Sequence, residues 1–118
     1  MQAIFARTGQ TVGWLNDNGV IFDASSHYRA FVRDKKVFTY QGNYLGVLDR
    51  GFFRDKQGHA VSFMKGASGG PIPPIPAIPP IPAIPPIPPI PPIPPIPPIA
   101  PIGTFNWSTL NWEAFLGG

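Results

Sequence analysis

Apolar residues recur in two rhythms along this chain, and the change of rhythm divides it. Up to Lys65, short apolar runs alternate with polar turns; from Ile72 to Ile102, isoleucine stands at every third position without a break. The first rhythm is itself a repeat, visible in IFARTGQTVGWLND, IFDASSHYRAFVRD, VFTYQGNYLGVLDR and FFRDKQGHAVSFMK. Each copy opens on an apolar pair: Ile4-Phe5, Ile21-Phe22, Val37-Phe38, Phe52-Phe53. A turn residue follows (Gly9, Ser26, Gly42, Gly58), then a small residue (Gly13, Ala30, Gly46, Ser62). Each copy closes on a second apolar pair, Trp14-Leu15, Phe31-Val32, Val47-Leu48 or Phe63-Met64. The small column recurs at spacings of 17, 16 and 16 residues, and in this alignment the fourth copy carries one extra turn residue.

Runs of four or five residues rich in Val, Ile, Phe and Tyr, broken by Gly, Asn and Asp, read as strands. The junctions NDNG (Asn16–Gly19) and DRG (Asp49–Gly51) are hairpin turns, where Gly and Asn tolerate positive φ. Each copy is therefore one β-hairpin, and the fold class is all-β with eight short strands. A lone hairpin is barely stable, so four copies in a pseudo-four-fold arrangement must share a core. The column Gly13, Ala30, Gly46 and Ser62 then marks a close approach of backbones that only small residues allow.

The second rhythm has a different physical basis. All 18 prolines lie between Pro71 and Pro101. Proline fixes φ and disfavours helix in the residue before it, which predicts polyproline II with three residues per turn. The eleven isoleucines, Ile72, Ile75, Ile78, Ile81, Ile84, Ile87, Ile90, Ile93, Ile96, Ile99 and Ile102, then form one straight row. At about 3.1 Å per residue, 71–102 would make a rod of roughly 100 Å. With isoleucine where collagen needs glycine, it is not collagen. A flexible linker would have no reason to keep isoleucine in phase, and a ligand for SH3 or WW modules would carry an orienting basic residue. The expected partner of the row is its own copy, in a homo-oligomer of three parallel chains with isoleucines inward; the fallback is a tract folded back on a head.

FNWSTLNWEAFLGG predicts a short helix capped by Asn106 or Ser108 and stopped by Gly117. Eight or nine residues are too few to hold a helix alone. Trp107, Leu110, Trp112, Phe115 and Leu116 therefore form a docking segment, for the chain's own head, a neighbour or a protein partner. Anchoring at a membrane surface would need a basic face, which is missing.

Composition removes several classes of function. There is no cysteine, hence neither a disulfide nor a thiolate metal site. Nine Lys/Arg against five Asp up to Lys65 leave an excess of four positive charges there, and Glu113 is the one charge beyond it. Such an excess is more often a solvated surface than a nucleic-acid footprint, so nucleic acid is not the expected partner. No window reads as a membrane span or a signal peptide, which gives a cytoplasmic expectation, with export by a leaderless route as the alternative. His27 and His59 fall in the turns of the second and fourth copies, too far apart for a shared metal. Ser25, Ser26 and His27 adjoin without the spacing of a catalytic triad, and GxGxxG is absent. No enzyme and no cofactor are expected. The competing reading is a β module binding glycan or nucleic acid on Trp14, Tyr28, Tyr40 and Tyr44 beside Arg29 and Arg33, with the tract as spacer or peptide ligand.

In order, the four hairpins, GGP at Gly69–Pro71, the period-three apolar tract and Trp107-Ser108 resemble the bacterial four-fold β-flower family. The resemblance implies pseudo-four-fold hairpins and carries over no catalytic residue. Similar members interleave basic residues in the tail, and this tail has none. The expected layout is a head (1–66), a Gly/Ser linker (67–70), a rod (71–102) and a docking segment (103–118). The expected function is that of a non-enzymatic structural protein that self-assembles through the isoleucine row.

Overall fold

The computed structural model describes residues 1–80, 97 and 99–117. Eight strands form, as the repeat requires: β1 (Gln2–Ala6), β2 (Thr11–Leu15), β3 (Val20–Asp23), β4 (Tyr28–Arg33), β5 (Lys36–Thr39), β6 (Tyr44–Asp49), β7 (Phe52–Arg54) and β8 (Ala60–Met64). One helix, α1 (Trp112–Leu116), follows near the C-terminus. Every strand pairs antiparallel with its sequence neighbours, and β8 returns to β1 through Ile4↔Met64 and Phe5↔Phe63, closing a barrel. Closure removes the free edges at which short strands would otherwise pair with other chains.

The register shows how the repeat is built, and it corrects the sequence alignment. A bulge falls at one place in each hairpin: between Ile4 and Phe5, Ile21 and Phe22, Val37 and Phe38, and Phe53 and Arg54. The small column stands opposite the first residue of each pair, as Ile4↔Gly13, Ile21↔Ala30, Val37↔Gly46 and Phe53↔Ser62. The fourth pair is thus Phe53-Arg54 rather than Phe52-Phe53. With that shift the fourth copy has no extra turn residue. Apolarity misled the alignment, because a charged residue stands where the other copies have phenylalanine.

Strand alternation sends successive side chains to opposite faces. Ile4, Ile21, Val37 and Phe53, one from each copy, share a single buried cluster, which only the barrel interior allows. On the other face, Phe5, Phe52 and Phe63 form a second cluster with Ala60. Trp14 stacks on Phe22 there, and Phe31 on Phe38. The crowding at the small column comes from the neighbouring strand: a Cβ on Gly13 would lie 2.5 Å from the Phe22 carbonyl oxygen, and one on Gly46 would overlap that of Arg54. Ala30 and Ser62 are fully buried.

Helix α1 fills the barrel. Trp112, Phe115 and Leu116 are buried among Ile4, Val37 and Phe53. The N-cap is Asn111, whose side chain accepts from the Ala114 N–H, rather than Asn106 or Ser108. The helix is shorter than the sequence suggests because Thr109 and Leu110 belong to the approach; Leu110 is exposed. Gly117 ends it, as expected.

Candidate functional site: the proline arms and their attachment

Two arms of the proline tract are described, an outgoing one (71–80) and a returning one (97 and 99–102). The outgoing arm crosses the turn of the first copy, where the Ala77 N–H donates to the Gly9 carbonyl oxygen at 2.9 Å. Gly9 is needed there: its φ is +90°, and an added Cβ would meet the Ile75 carbonyl oxygen at 3.0 Å. The returning arm brings Ala100 and Pro101 beside Lys36, Val47 and Asp49 of the third copy. It ends at the fourth copy's turn, where the Thr104 N–H donates to the Gly58 carbonyl oxygen at 3.1 Å.

Along the described arms, burial falls on proline alone. Pro71 is buried, and Pro73, Pro74, Pro76, Pro97 and Pro101 are half-buried. Ile72, Ile75, Ile78, Ile99 and Ile102 are 90–98% exposed. These prolines lie toward the barrel, Ala77, Pro79, Pro80 and Ala100 are exposed, and the described isoleucines face solvent. Ile81, Ile84, Ile87, Ile90, Ile93 and Ile96 lie outside the described residues. Beside the outgoing arm runs a groove of about 560 Å³, lined by Ala3, Phe5, Pro76, Ala77 and Ile78 among others.

Both ends of the tract meet at Arg54. Its guanidinium is buried and donates from Nη2 to the Gly69 carbonyl oxygen at 2.8 Å and from Nη1 to that of Thr104 at 2.8 Å. Nη1 also donates to the Gly58 carbonyl oxygen at 2.7 Å, and Nε to Asp49 Oδ2 at 3.3 Å. A straight rod of roughly 100 Å would hold its ends that far apart. Here one side chain bonds Gly69 and Thr104, which flank the tract, and the described arms lie on their own barrel.

The C-terminal segment is held at two opposite turns. In the fourth copy, Asp55 Oδ1 accepts the N–H groups of Gln57 and His59, while Oδ2 accepts the Ser108 hydroxyl at 2.5 Å. Ser108 is buried, and Trp107 packs on Phe52 and Phe63. In the second copy, Asp23 Oδ1 accepts from Ser25 and His27, and Oδ2 from Arg29. Arg29 also donates to both carboxylate oxygens of Glu113 on α1, at 3.1 and 2.9 Å. Burial pushes the Asp23 carboxyl up, but the His27 amide, the Arg29 guanidinium and the Ser25 amide together hold it below the usual carboxylate range. Bonding to Glu113 and then to Asp23 raises the Arg29 guanidinium. Trp107, Trp112, Phe115 and Leu116 thus dock on the chain's own head, and of the five docking residues only Leu110 is exposed.

The residues of the competing platform reading differ in their exposure: Tyr28, Tyr40 and Tyr44 are half-buried and Arg33 is exposed. Trp14 is buried against Phe22, and Arg29 is engaged by two carboxylates. Burial raises the phenols of Tyr40 and Tyr44, and for Tyr40 the nearby Tyr28 adds to this. His27 is exposed in its turn, whereas His59 Nδ1 lies 2.7 Å from Thr104 Oγ1, which helps to hold the returning arm. Among the described residues no three His, Asp or Glu gather as a metal site would require, and no helix is long and apolar enough to cross a membrane. Arg54 escaped the sequence reading, although a charge in a column of phenylalanines was the available signal.

The family model described as 4-fold beta flower protein matches residues 2–116. The chain belongs to that family. No curated protein and no solved structure gave a match.

Proposed function

We propose that this four-fold β-flower protein is a non-enzymatic interaction protein that associates with copies of itself through the outward isoleucine row. The observation that carries the reading is the near-complete exposure of Ile72, Ile75, Ile78, Ile99 and Ile102. Burying one such side chain stabilises by about 1.5–3 kcal/mol, so the five together represent a large gross gain for any surface that covers them. Three of them follow one another on the outgoing arm and two on the returning arm, and exposed apolar side chains gathered in this way mark interaction surfaces. The groove lined by Phe5, Pro76 and Ile78 runs alongside, so a second copy has both isoleucines to insert and an apolar groove to receive them. Because the described arms lie on the barrel, contact through their isoleucines brings heads together.

The test is Ile75, Ile78 and Ile99 each changed to Lys in one full-length chain. Multi-angle light scattering should show the parent above monomer mass and the variant at monomer mass, with the β circular dichroism of the barrel unchanged. A parent that is monomeric at tens of micromolar overturns the reading.

A further inference from the structure

The fourth copy departs from the other three at Arg54, which stands where Phe5, Phe22 and Phe38 do, and that residue touches both ends of the proline tract. A buried guanidinium is costly unless its donors are met. Three of its four hydrogen bonds go to main-chain carbonyl oxygens, those of Gly58, Gly69 and Thr104. Gly70 and Gly103 let the arms come this close: an added Cβ would lie 3.0 Å from Nη2 at Gly70 and 2.8 Å from Cζ at Gly103. A carbonyl direction is fixed by its peptide plane, and the guanidinium fork is planar and rigid. Bonding the two together constrains how each arm is rotated about its own axis, not only where it lies. In a conformation that repeats every three residues, rotation at one end decides which row faces the barrel.

We propose that Arg54 sets the phase of both arms, turning their prolines onto the barrel and their isoleucines outward. Arg54 is thus a positioning residue for the interaction surface. The inference rests on the self-association reading for its purpose, and its test does not.

Each arm carries its own reporter, the Ala77 N–H on Gly9 and the Thr104 N–H on Gly58. Arg54→Met in the full chain keeps an apolar stem and removes the fork. Amide hydrogen exchange followed by NMR should show both reporters losing protection together, by roughly tenfold or more, while the strand amides of Phe31 and Val37 keep theirs. Protection retained at Ala77 overturns the proposal, because the outgoing arm would then hold its phase by its own packing. Loss at the strand amides as well overturns it too, since Arg54 would then be a support of the whole barrel. If Arg54→Met does not fold, Gly103→Ala, which crowds Cζ and keeps the charge, is judged by the same amides. A parent that is monomeric in light scattering, with both reporters released in the variant, sinks self-association and leaves the role of Arg54 standing.

Discussion

The first three copies of the hairpin and the fourth differ in what they do with one position. In the first three, phenylalanine follows the bulge and packs against aromatic neighbours outside the barrel: Phe5 against Phe63, Phe22 against Trp14, Phe38 against Phe31. In the fourth, Arg54 follows the bulge and bonds chain segments 15 and 50 residues away. The contrast extends to the turns. The equivalent residues Asp23 and Asp55 organise two turns in the same way, yet one recruits Arg29 and Glu113 and the other Ser108. Repetition specifies the barrel, and departures from it specify what attaches there.

If the attached helix is part of the core rather than an accessory, the largest loss should come from its deepest residue. Phe115→Ala should cost about 3–5 kcal/mol in urea denaturation, since the cavity would open inside the barrel. A loss below about 1 kcal/mol would mean that the barrel packs without its plug.

The small column offers a smaller effect with an internal control. Gly46→Ala places a Cβ against the Arg54 carbonyl oxygen and should cost about 1–3 kcal/mol. At Gly66 a Cβ would meet nothing within 4 Å, and the cost comes only from its φ of +81°, about 1 kcal/mol. Equal melting temperatures for the two variants would show that hairpin crowding is not what the small column serves.

The smallest effect is a pH dependence in the second copy. The folded Asp23 carboxyl titrates below its ordinary value, so its contribution is complete above about pH 4 and falls as the pH drops through the folded pKa. Asp23→Asn should therefore lower stability at pH 7 and flatten its decline in acid. Parallel acid profiles for the variant and the parent would remove Asp23 as a source of that decline.

The barrel was legible because each of its signals is local. Alternation, turn glycines and the 17, 16 and 16 spacing lie within a few residues of the atoms they place. The docked face of α1 was legible for the same reason, since Trp112, Phe115 and Leu116 stand at helical spacing. The cap was misread because Asn106, Ser108 and Asn111 all qualify by type, and only the fixed positions of Trp107 on Phe52 and Ser108 on Asp55 decide where the helix can begin.

The sequence by itself determined that four hairpins repeat and that isoleucine stands at every third position of the tract, because both are periodicities of the sequence itself. Only the tertiary structure decided that Phe53-Arg54 is the fourth pair, that α1 fills the barrel and that the described isoleucines face outward. These depend on contacts between residues far apart in the chain. A row can be read from its spacing, but which way it faces depends on long-range contacts, here those made by Arg54 and by the turns at Gly9 and Gly58.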